Sequence, residues 1–222
     1  LLPQTILTPA QGVEEKIIGN RNEMLPTPWL GKALNAARSV CRVLVGNRAE
    51  GSGFLLEGGY LLTNSHVLPN EARIRLASIE FNYEEGQSGK SATYTLDPTS
   101  VRRSPEALLD YCIVKVVNNP QKPLSHWGFL ELETQTEVRE GDAANMIQHP
   151  WGNLKQIAFR DNQVLSIWGD SIFYTTDSEH GSSGSPVFND DWKVIALHRK
   201  GFNEADGGMV INANGDKKAA NM

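Results

Sequence analysis

The stretch "HGSSGSPVF", residues 180–188, places three serines and two glycines in front of a Pro-Val-Phe run. Small residues at this density are typical of a turn, because glycine reaches positive φ at low cost and serine hydrogen-bonds its own backbone. The same turn can instead hold a nucleophilic serine, but that chemistry needs a general base and an orienting acid elsewhere in the chain. Whether the rest of the sequence supplies both groups therefore decides between a plain loop and an active site.

The composition limits the classes of function. The chain has 222 residues, a formal net charge of −5 and a sequence pI near 5.6. It therefore lacks the broad positive field that binds a phosphate backbone. No apolar run reaches the roughly 20 residues that span a bilayer. We expect a soluble protein whose partners are neither nucleic acid nor membrane.

The cysteines and the first residues of the sequence suggest a compartment for the protein and its origin from a larger chain. Only Cys41 and Cys112 are present. Two thiols make no disulfide framework and favour a reducing compartment such as the cytoplasm, with secretion as the alternative. The sequence opens Leu-Leu-Pro rather than with Met. We expect a domain processed or excised from a larger chain, or one that works with a regulatory partner.

One short helix and two β-rich halves are predicted. The segment "TPWLGKALNAARS", residues 27–39, predicts a helix capped by Thr27, with Pro28 at its first position and an apolar stripe of Leu30, Ala33, Leu34 and Ala37. Brief β-rich runs such as "VCRVLVG", "ARIRLASIEF" and "DYCIVKVV" follow, and their Gly, Pro, Asn and Asp punctuation indicates an all-β barrel or sandwich.

The Pro-containing segment "NNPQKPLSHWG", residues 118–128, is the best internal linker and separates a second β-rich series from the first. A cleft between the two halves is the expected place for chemistry. The predicted organisation is a lead-in with the helix (1–39), a first β half (40–117), the linker (118–128), a second β half (129–213) and a C-terminal tail (214–222).

Two titratable residues stand at the ends of apolar runs in the first half. His66 follows "LLTNS" in a turn of small residues, and Asp110 opens the apolar run "YCIVKV". A lone histidine is more often a surface or satisfied core residue than a catalyst. A carboxylate at the start of a buried strand must be partnered, however, because an unpaired buried charge is costly, and a histidine N–H is one suitable partner.

These features together resemble the chymotrypsin-fold serine peptidases. The motifs "LLTNSHVL", "DYCIVKV", "GSSGSPVFN", "VIALH" and "GMVIN" occur in the family's order over roughly residues 40–213. The chain order His, Asp, Ser agrees with that family and not with the α/β-hydrolase or subtilisin orders. The sequence is most similar to the V8-like branch, which includes glutamyl endopeptidases and related bacterial trypsin-like peptidase domains. The resemblance implies two six-stranded antiparallel β-barrels with a short N-terminal helix.

The resemblance also implies residue roles. Ser183 matches the family's nucleophile, His66 its general base and acid, and Asp110 the group that orients the imidazole. Gly181 and Ser183 match the residues whose backbone N–H groups form the oxyanion hole. The partner implied is a polypeptide substrate. The alternative is a noncatalytic peptide-binding module on the same fold.

Two readings of the substrate pocket stay open. His198 aligns with the histidine that binds an acidic P1 side chain in glutamyl endopeptidases, with Ser178 as its hydroxyl partner and Arg199 and Lys200 adding positive potential nearby. Asp177 instead occupies the position of the acidic pocket base of trypsin, which selects Arg and Lys. Gly201 is expected to line the same pocket. The family alignment beyond the triad favours His198 and an acidic P1 residue.

The remaining motifs receive plainer interpretations. The segment "EEKIIGN" looks like a zymogen cleavage site before Ile17, but the trypsin route needs an aspartate where Ser182 stands. "IIGNRNE" also resembles the mature start of V8-like enzymes, whose terminal amine reaches the substrate pocket, and we favour an ordinary lead-in to the helix over it. His126 and His149 are expected to be structural or exposed, and His180 to line the cleft at most. No HExxH, CxxC or Gly-rich phosphate loop occurs, so the sequence predicts neither a metal nor a cofactor.

Overall fold

The computed structural model describes residues 24–87, 89–135, 137–202, 209–210, 217–218 and 220–222. The N-terminal segment that contains Ile17 lies outside these residues, so its predicted role is not addressed by the structure. The description begins with helix α1 (Pro28–Arg38). A second, short helix α2 (Glu71–Arg75) lies in the first half.

The first half is a closed antiparallel barrel. Its six strands run in the order β1-β2-β3-β6-β5-β4, with bounds β1 (Val40–Val45), β2 (Arg48–Leu56), β3 (Tyr60–Asn64), β4 (Ala77–Phe81), β5 (Ala92–Arg103) and β6 (Tyr111–Val116). Alternate residues of β5, beginning with Ala92, Tyr94 and Leu96, point inward and are buried. This period of two is what a sheet closed around an apolar core requires. Closure also leaves the barrel without a free edge for aggregation.

The second half contains shorter strands. They are β7 (Asn145–Gln148), β8 (Gln156–Ala158), β9 (Val164–Trp168), β10 (Ser171–Tyr174), β11 (Pro186–Phe188), β12 (Val194–Leu197), β13 (Gly201–Phe202), β14 (Met209–Val210), β15 (Lys217–Lys218) and β16 (Ala220–Asn221). Within the described residues they form two four-stranded sheets, β13-β16-β10-β9 and β12-β11-β7-β8, and the pair β14-β15. The all-β class is confirmed, although hydrogen bonding links these strands into sheets rather than one closed ring.

Helix α1 is present, but its predicted cap is wrong and its buried face is shifted, since Ala33 and Ala37 of the predicted stripe contact the core and the two leucines do not. Thr27 has αR backbone angles and its side chain makes no capping hydrogen bond. Leu30 and Leu34 are 59% and 71% exposed, and the buried residues are Trp29, Ala33 and Ala36. The Trp29 ring lies 4.9 Å from the ring of Trp192 in the second half. Burial of this large ring, which outweighs burial of the leucines, turns the helix onto its tryptophan side.

Two other elements differ from the sequence prediction. Part of the predicted strand "ARIRLASIEF" forms α2, because the Asn70 side chain accepts a hydrogen bond from the Arg73 N–H at 2.9 Å and so caps a helical turn. In the predicted linker, Leu124 and Trp127 are buried in the first barrel's core. The segment 118–128 therefore closes the base of the first half while it crosses to the second.

The predicted C-terminal tail also needs correction. Ala220 and Asn221 form β16, which pairs with both β10 and β13. Most of the "GMVIN" stretch lies outside the described residues, and its Met209 and Val210 pair with Lys217 and Lys218 instead of joining the sheets. The strand that completes the sheet beside Gly201 is thus supplied from further along the chain than the sequence motif indicated.

Cys41 and Cys112 are both free and fully buried in the first barrel. Burial raises the pKa of the Cys41 thiol far above its usual range and that of Cys112 to about 11, so both act as small apolar core groups. The predicted reducing compartment stays a prediction. Among the described helices, none combines the length and apolar character needed to cross a membrane.

Candidate active site

The barrel register brings His66 and Asp110 together. Strands β3 and β6 are antiparallel neighbours, and Asn64 at the end of β3 pairs with Tyr111 at the start of β6. His66 follows the end of β3 by two residues, and Asp110 immediately precedes β6. Because antiparallel neighbours exchange ends, residues 44 positions apart along the chain meet at one corner of the barrel.

Asp110 holds His66 through two hydrogen bonds. The His66 Nδ1 lies 2.7 Å from Asp110 Oδ2, and the His66 backbone N–H donates to Oδ1 at 3.0 Å. Asp110 is fully buried and has a φ of 52°, held by hydrogen bonds to its carbonyl from the Ser65 N–H and the Asn64 side-chain amide. A carboxylate facing Nδ1 favours the tautomer with its proton on Nδ1. The other ring nitrogen, Nε2, is then a proton acceptor.

The turn that carries Ser183 is fixed by the first barrel. Ser52 of β2 donates its backbone N–H to the Ser183 carbonyl at 2.7 Å and its hydroxyl to the Gly181 carbonyl at 2.9 Å. The same hydroxyl accepts the N–H of His149 at 3.0 Å. Ser52 is fully buried and was not identified from the sequence. One serine of the first half thus binds two carbonyls of the turn that carries Ser183 in the second.

Two backbone donors of this turn have no protein partner. Neither the Gly181 N–H nor the Ser183 N–H donates to any acceptor among the described residues. The preceding carbonyl, that of His180, accepts the Trp151 N–H, so the peptide plane directs the Gly181 N–H the opposite way. Gly181 has a φ of 91°, a value that glycine reaches readily and other residues do not. Paired free donors of this kind are suited to stabilise a developing oxyanion.

Ser183 is half-buried beside these groups. Its hydroxyl donates to the Arg199 carbonyl at 3.3 Å, and no hydrogen bond joins it to His66. In a substrate-free site such bonds are often long or misaligned and tighten only when the reactants are bound. A single cleft of about 880 Å³ is lined by all eight sequence-predicted site residues, His66, Asp110, Asp177, Ser178, Gly181, Ser183, His198 and Gly201.

His198 lies at the base of the cleft with a defined proton arrangement. It is buried, and its Nδ1 lies 2.7 Å from the hydroxyl of Tyr174. Burial, with a smaller effect of His66, lowers the pKa of His198 to about 3, so the ring is neutral. Burial also raises the pKa of Tyr174. The phenol therefore keeps its proton and donates it to Nδ1, which leaves an N–H at Nε2 that has no partner among the described residues.

The other predicted pocket residues differ in setting. Ser178 is partly exposed and its hydroxyl has no hydrogen bond within the described part of the chain. Asp177 is exposed at the rim, and its backbone carbonyl accepts the Gln148 side-chain amide at 2.8 Å. A Cβ on Gly201 would lie 2.6 Å from Asn221 Oδ1, so a side chain there would displace the Asn221 amide where β13 faces β16. Tyr174 and Asn221 were not identified from the sequence.

Three further predictions concern charged and ring side chains. Arg199 was expected to add positive potential to the pocket, but its guanidinium turns away to Asp110, with Nε 3.3 Å from Oδ2. His149 is fully buried, with its Nδ1 2.9 Å from the Asn153 carbonyl, which fits the predicted structural role. His180 lines the cleft and stacks on Trp151 at a ring distance of 5.7 Å.

Comparison with known proteins defines the class to which this fold and site belong. Residues 51–197 match the family described as the trypsin-like peptidase domain, which covers more than half of the chain. The chain therefore belongs to the trypsin-like peptidase family. In fold it is similar to the protein in "Crystal structure of Deg5", with a TM-score of 0.57 at 17% identity, covering 79% of this chain and 87% of that one.

Similar proteins of known sequence come from varied sources. An uncharacterized Sinorhizobium fredii protein, y4fB, is 35% identical over 210 residues, which are 85% of this chain and 31% of that protein. Secreted RxLR effector protein 73 of Plasmopara viticola is 28% identical, covering 86% of this chain and 52% of its own.

A probable periplasmic serine endoprotease of Rickettsia conorii, DegP-like, is 29% identical, covering 67% of this chain and 28% of its own. The chain thus spans about half or less of the length of these three relatives. The matches support the trypsin-like family as a whole, and membership of the V8-like branch stays a prediction.

Proposed function

We propose that the protein is a serine endopeptidase in which Ser183 is the nucleophile, His66 the general base and Asp110 the residue that orients the imidazole. The observation that carries the proposal is the 2.7 Å contact between His66 Nδ1 and Asp110 Oδ2, in the cleft that also contains Ser183 and two backbone N–H groups without an acceptor in the described part of the chain. Base, orienting acid, nucleophile and oxyanion donors are the four parts that acyl transfer needs. The serine endoprotease name of the Rickettsia relative supports the same activity.

The proposed reaction has two stages. The Ser183 Oγ attacks the scissile carbonyl while His66 Nε2 takes the hydroxyl proton, and the N–H groups of Gly181 and Ser183 stabilise the resulting oxyanion. His66 then gives the proton to the leaving amine, which departs and leaves an acyl-enzyme on Ser183. A water molecule, deprotonated by the same imidazole, hydrolyses the ester. Each oxyanion donor contributes about 10²- to 10³-fold in kcat in comparable enzymes.

We expect Ser183→Ala to abolish peptide hydrolysis, with a loss of about 10⁴-fold or more, because the hydroxyl forms the acyl bond. The free energy of unfolding should change by less than about 0.5 kcal/mol, since this half-buried hydroxyl makes one long hydrogen bond. The measurement is covalent labelling with a fluorophosphonate, read by intact mass. The alanine variant should remain unlabelled.

A matched control is Ser125→Ala, which removes an exposed serine outside the cleft and should label like the parent protein. Absence of labelling in the parent protein, together with measurable peptide binding, would support the noncatalytic peptide-binding module instead. Labelling that persists in Ser183→Ala would contradict the assignment of the nucleophile.

We further propose that the enzyme cleaves after acidic P1 residues. The support is the neutral His198 and the Ser178 hydroxyl, which both line the cleft, have donors without a partner among the described residues, and so offer two hydrogen bonds to a carboxylate. Lys200 lines the same cleft and supplies a positive charge, whereas the Arg199 charge is directed to Asp110. The rim position of Asp177 offers no buried countercharge for Arg or Lys.

The specificity test uses peptides that differ only at P1, with Glu, Gln and Lys. His198→Ala should lower kcat/KM for the Glu peptide by about 10- to 100-fold, which is the effect of losing a hydrogen bond to a charged group. It should lower kcat/KM for the Gln peptide much less. Tyr174→Phe keeps the ring and should also lower kcat/KM for the Glu peptide more than for the Gln peptide, but by a smaller factor. Asp177→Asn should leave the Glu peptide unchanged. Efficient cleavage after Lys that disappears in Asp177→Asn would overturn the acidic preference.

A further inference from the structure

The guanidinium of Arg199 reaches from the second half to the segment that carries Asp110. Its Nε lies 3.3 Å from Asp110 Oδ2, while its terminal nitrogens donate to the carbonyls of Leu108, at 3.1 Å, and of Glu106. The side chain is only 18% exposed. All three contacts are to residues 106–110, so one side chain holds the short loop in front of β6.

This contact places a permanent positive charge beside the same carboxylate oxygen that faces His66. Asp110 Oδ2 lies 2.7 Å from the imidazole Nδ1 and 3.3 Å from the guanidinium Nε. Arginine does not lose its proton in proteins, and charges at this distance around a fully buried carboxylate are poorly screened. The charge of Arg199 therefore disfavours a second positive charge at this corner of the cleft.

We propose that Arg199 is a positioning residue of the active site, which holds the segment that carries Asp110 and extends activity to lower pH through its charge beside that carboxylate. The inference rests on the proposed peptidase function. It assigns a role to a side chain that the sequence placed in the substrate pocket. Arg199 acts through Asp110 and does not touch the reacting atoms with its side chain.

The other charged groups around His66 do not duplicate this effect. His198 is neutral above its pKa of about 3, so it contributes no charge in the working range. Glu50 and Glu106 line the cleft, but Glu50 is 3.4 Å from Arg73 and Glu106 is exposed to solvent. Lys200 is exposed, and its Nζ lies 5.1 Å from the centre of the Phe202 ring. Solvent screens these exposed charges far more than it screens Arg199.

The experiment measures the second-order rate constant for fluorophosphonate labelling of Ser183 between pH 5 and pH 9. In Arg199→Met, which keeps the aliphatic stem and removes the charge, the pH of half-maximal rate should rise by about one unit. Arg199→Lys keeps the charge and should restore the midpoint to within a few tenths of a unit. Its plateau should still fall, because an ammonium cannot bind both carbonyls and the carboxylate in one plane.

Arg102→Met is the matched control, since it removes the same charge from an exposed position of β5 outside the cleft. Its midpoint should equal that of the parent protein. If Arg199→Met does not fold, Arg199→Gln supplies the neutral variant that can still donate to the carbonyls. A neutral variant that folds with an unmoved midpoint would refute the role of Arg199, as would a finding that neither neutral variant folds. Absence of labelling in the parent protein would instead refute the peptidase function.

Discussion

At the scale of single residues, Gly184 shows how closely the two halves approach at the nucleophile turn. It has a φ of 86°, and a Cβ at this position would lie well inside van der Waals contact of the Ser52 carbonyl oxygen and the Thr63 hydroxyl. Both neighbours belong to the first barrel, and neither can withdraw, because Thr63 donates to the Ser52 carbonyl at 2.7 Å. Gly169 has a similar φ of 55° but open space around it.

Alanine substitutions at Gly184 and Gly169 separate the cost of backbone strain from the cost of steric overlap. Gly169→Ala should lower the free energy of unfolding by about 1 kcal/mol, the usual cost of a left-handed residue with a Cβ. Gly184→Ala should cost about 3 kcal/mol or more, because the added methyl also forces two fixed groups apart. Urea denaturation followed by tryptophan fluorescence measures both. Equal losses would show that the nucleophile turn can move away from β2.

The sequence identified the residues with intrinsic chemistry and missed those that position them. His66, Asp110 and Ser183 stand out because each follows or precedes a recognisable run, and all three line one cleft. Ser52 and Tyr174 look like ordinary strand residues, since their roles depend on hydrogen bonds to residues far along the chain. The contact of the Arg199 side chain with Asp110 was also missed, because local sequence does not say which acceptor a long side chain will reach.

At the scale of elements, hydrophobic periodicity was a better guide to whether a segment is structured than to which of its faces is buried. The apolar stripe of α1 is a pattern within the helix, whereas its burial is decided by Trp29 against aromatic rings of the second half. The segment 72–75 reads as part of a strand from its apolar residues, yet the Asn70 cap makes it helical. In both cases a single contact outside the repeating pattern outweighs the pattern.

The end of the chain illustrates the limit of short motifs. "GMVIN" has the residues of a strand and the order expected from the family, but the sheet beside Gly201 is completed by Ala220 and Asn221. Nothing in "KKAAN" predicts a strand, because alanine and lysine have weak β propensity. The assignment depends on the partner strands, which also place the Asn221 side chain against the Thr176 carbonyl at 2.6 Å.

At the scale of the whole molecule, buried neutral histidines link stability to pH. His149 and His198 are both buried, and burial lowers the pKa of each to about 3 from an ordinary value of 6.5. Below pH 6.5 the unfolded chain therefore binds protons that the folded protein does not. Stability should decrease as the pH falls from about 6.5 towards 3, by on the order of 4 kcal/mol for each histidine across the whole window.

The histidine contribution can be isolated with His149→Gln, which keeps an N–H donor for the Asn153 carbonyl and does not titrate. Between pH 7 and pH 4 this variant should lose about 3 kcal/mol less stability than the parent protein, measured by urea denaturation at each pH. The exposed His126→Gln is the matched control and should follow the parent curve. Identical curves for all three proteins would show that His149 does not contribute to the acid sensitivity.

The hydrogen bonds from Ser52 to the turn that carries Ser183 matter for forms of the molecule in which the two halves have partly separated. Two carbonyls of the turn, those of Gly181 and Ser183, accept their hydrogen bonds from Ser52 of β2, so separation of the halves removes both bonds. A molecule whose halves have come apart keeps all of its functional groups but loses their arrangement. Under the proposed function, we therefore expect copies whose halves have separated to be inactive towards peptides.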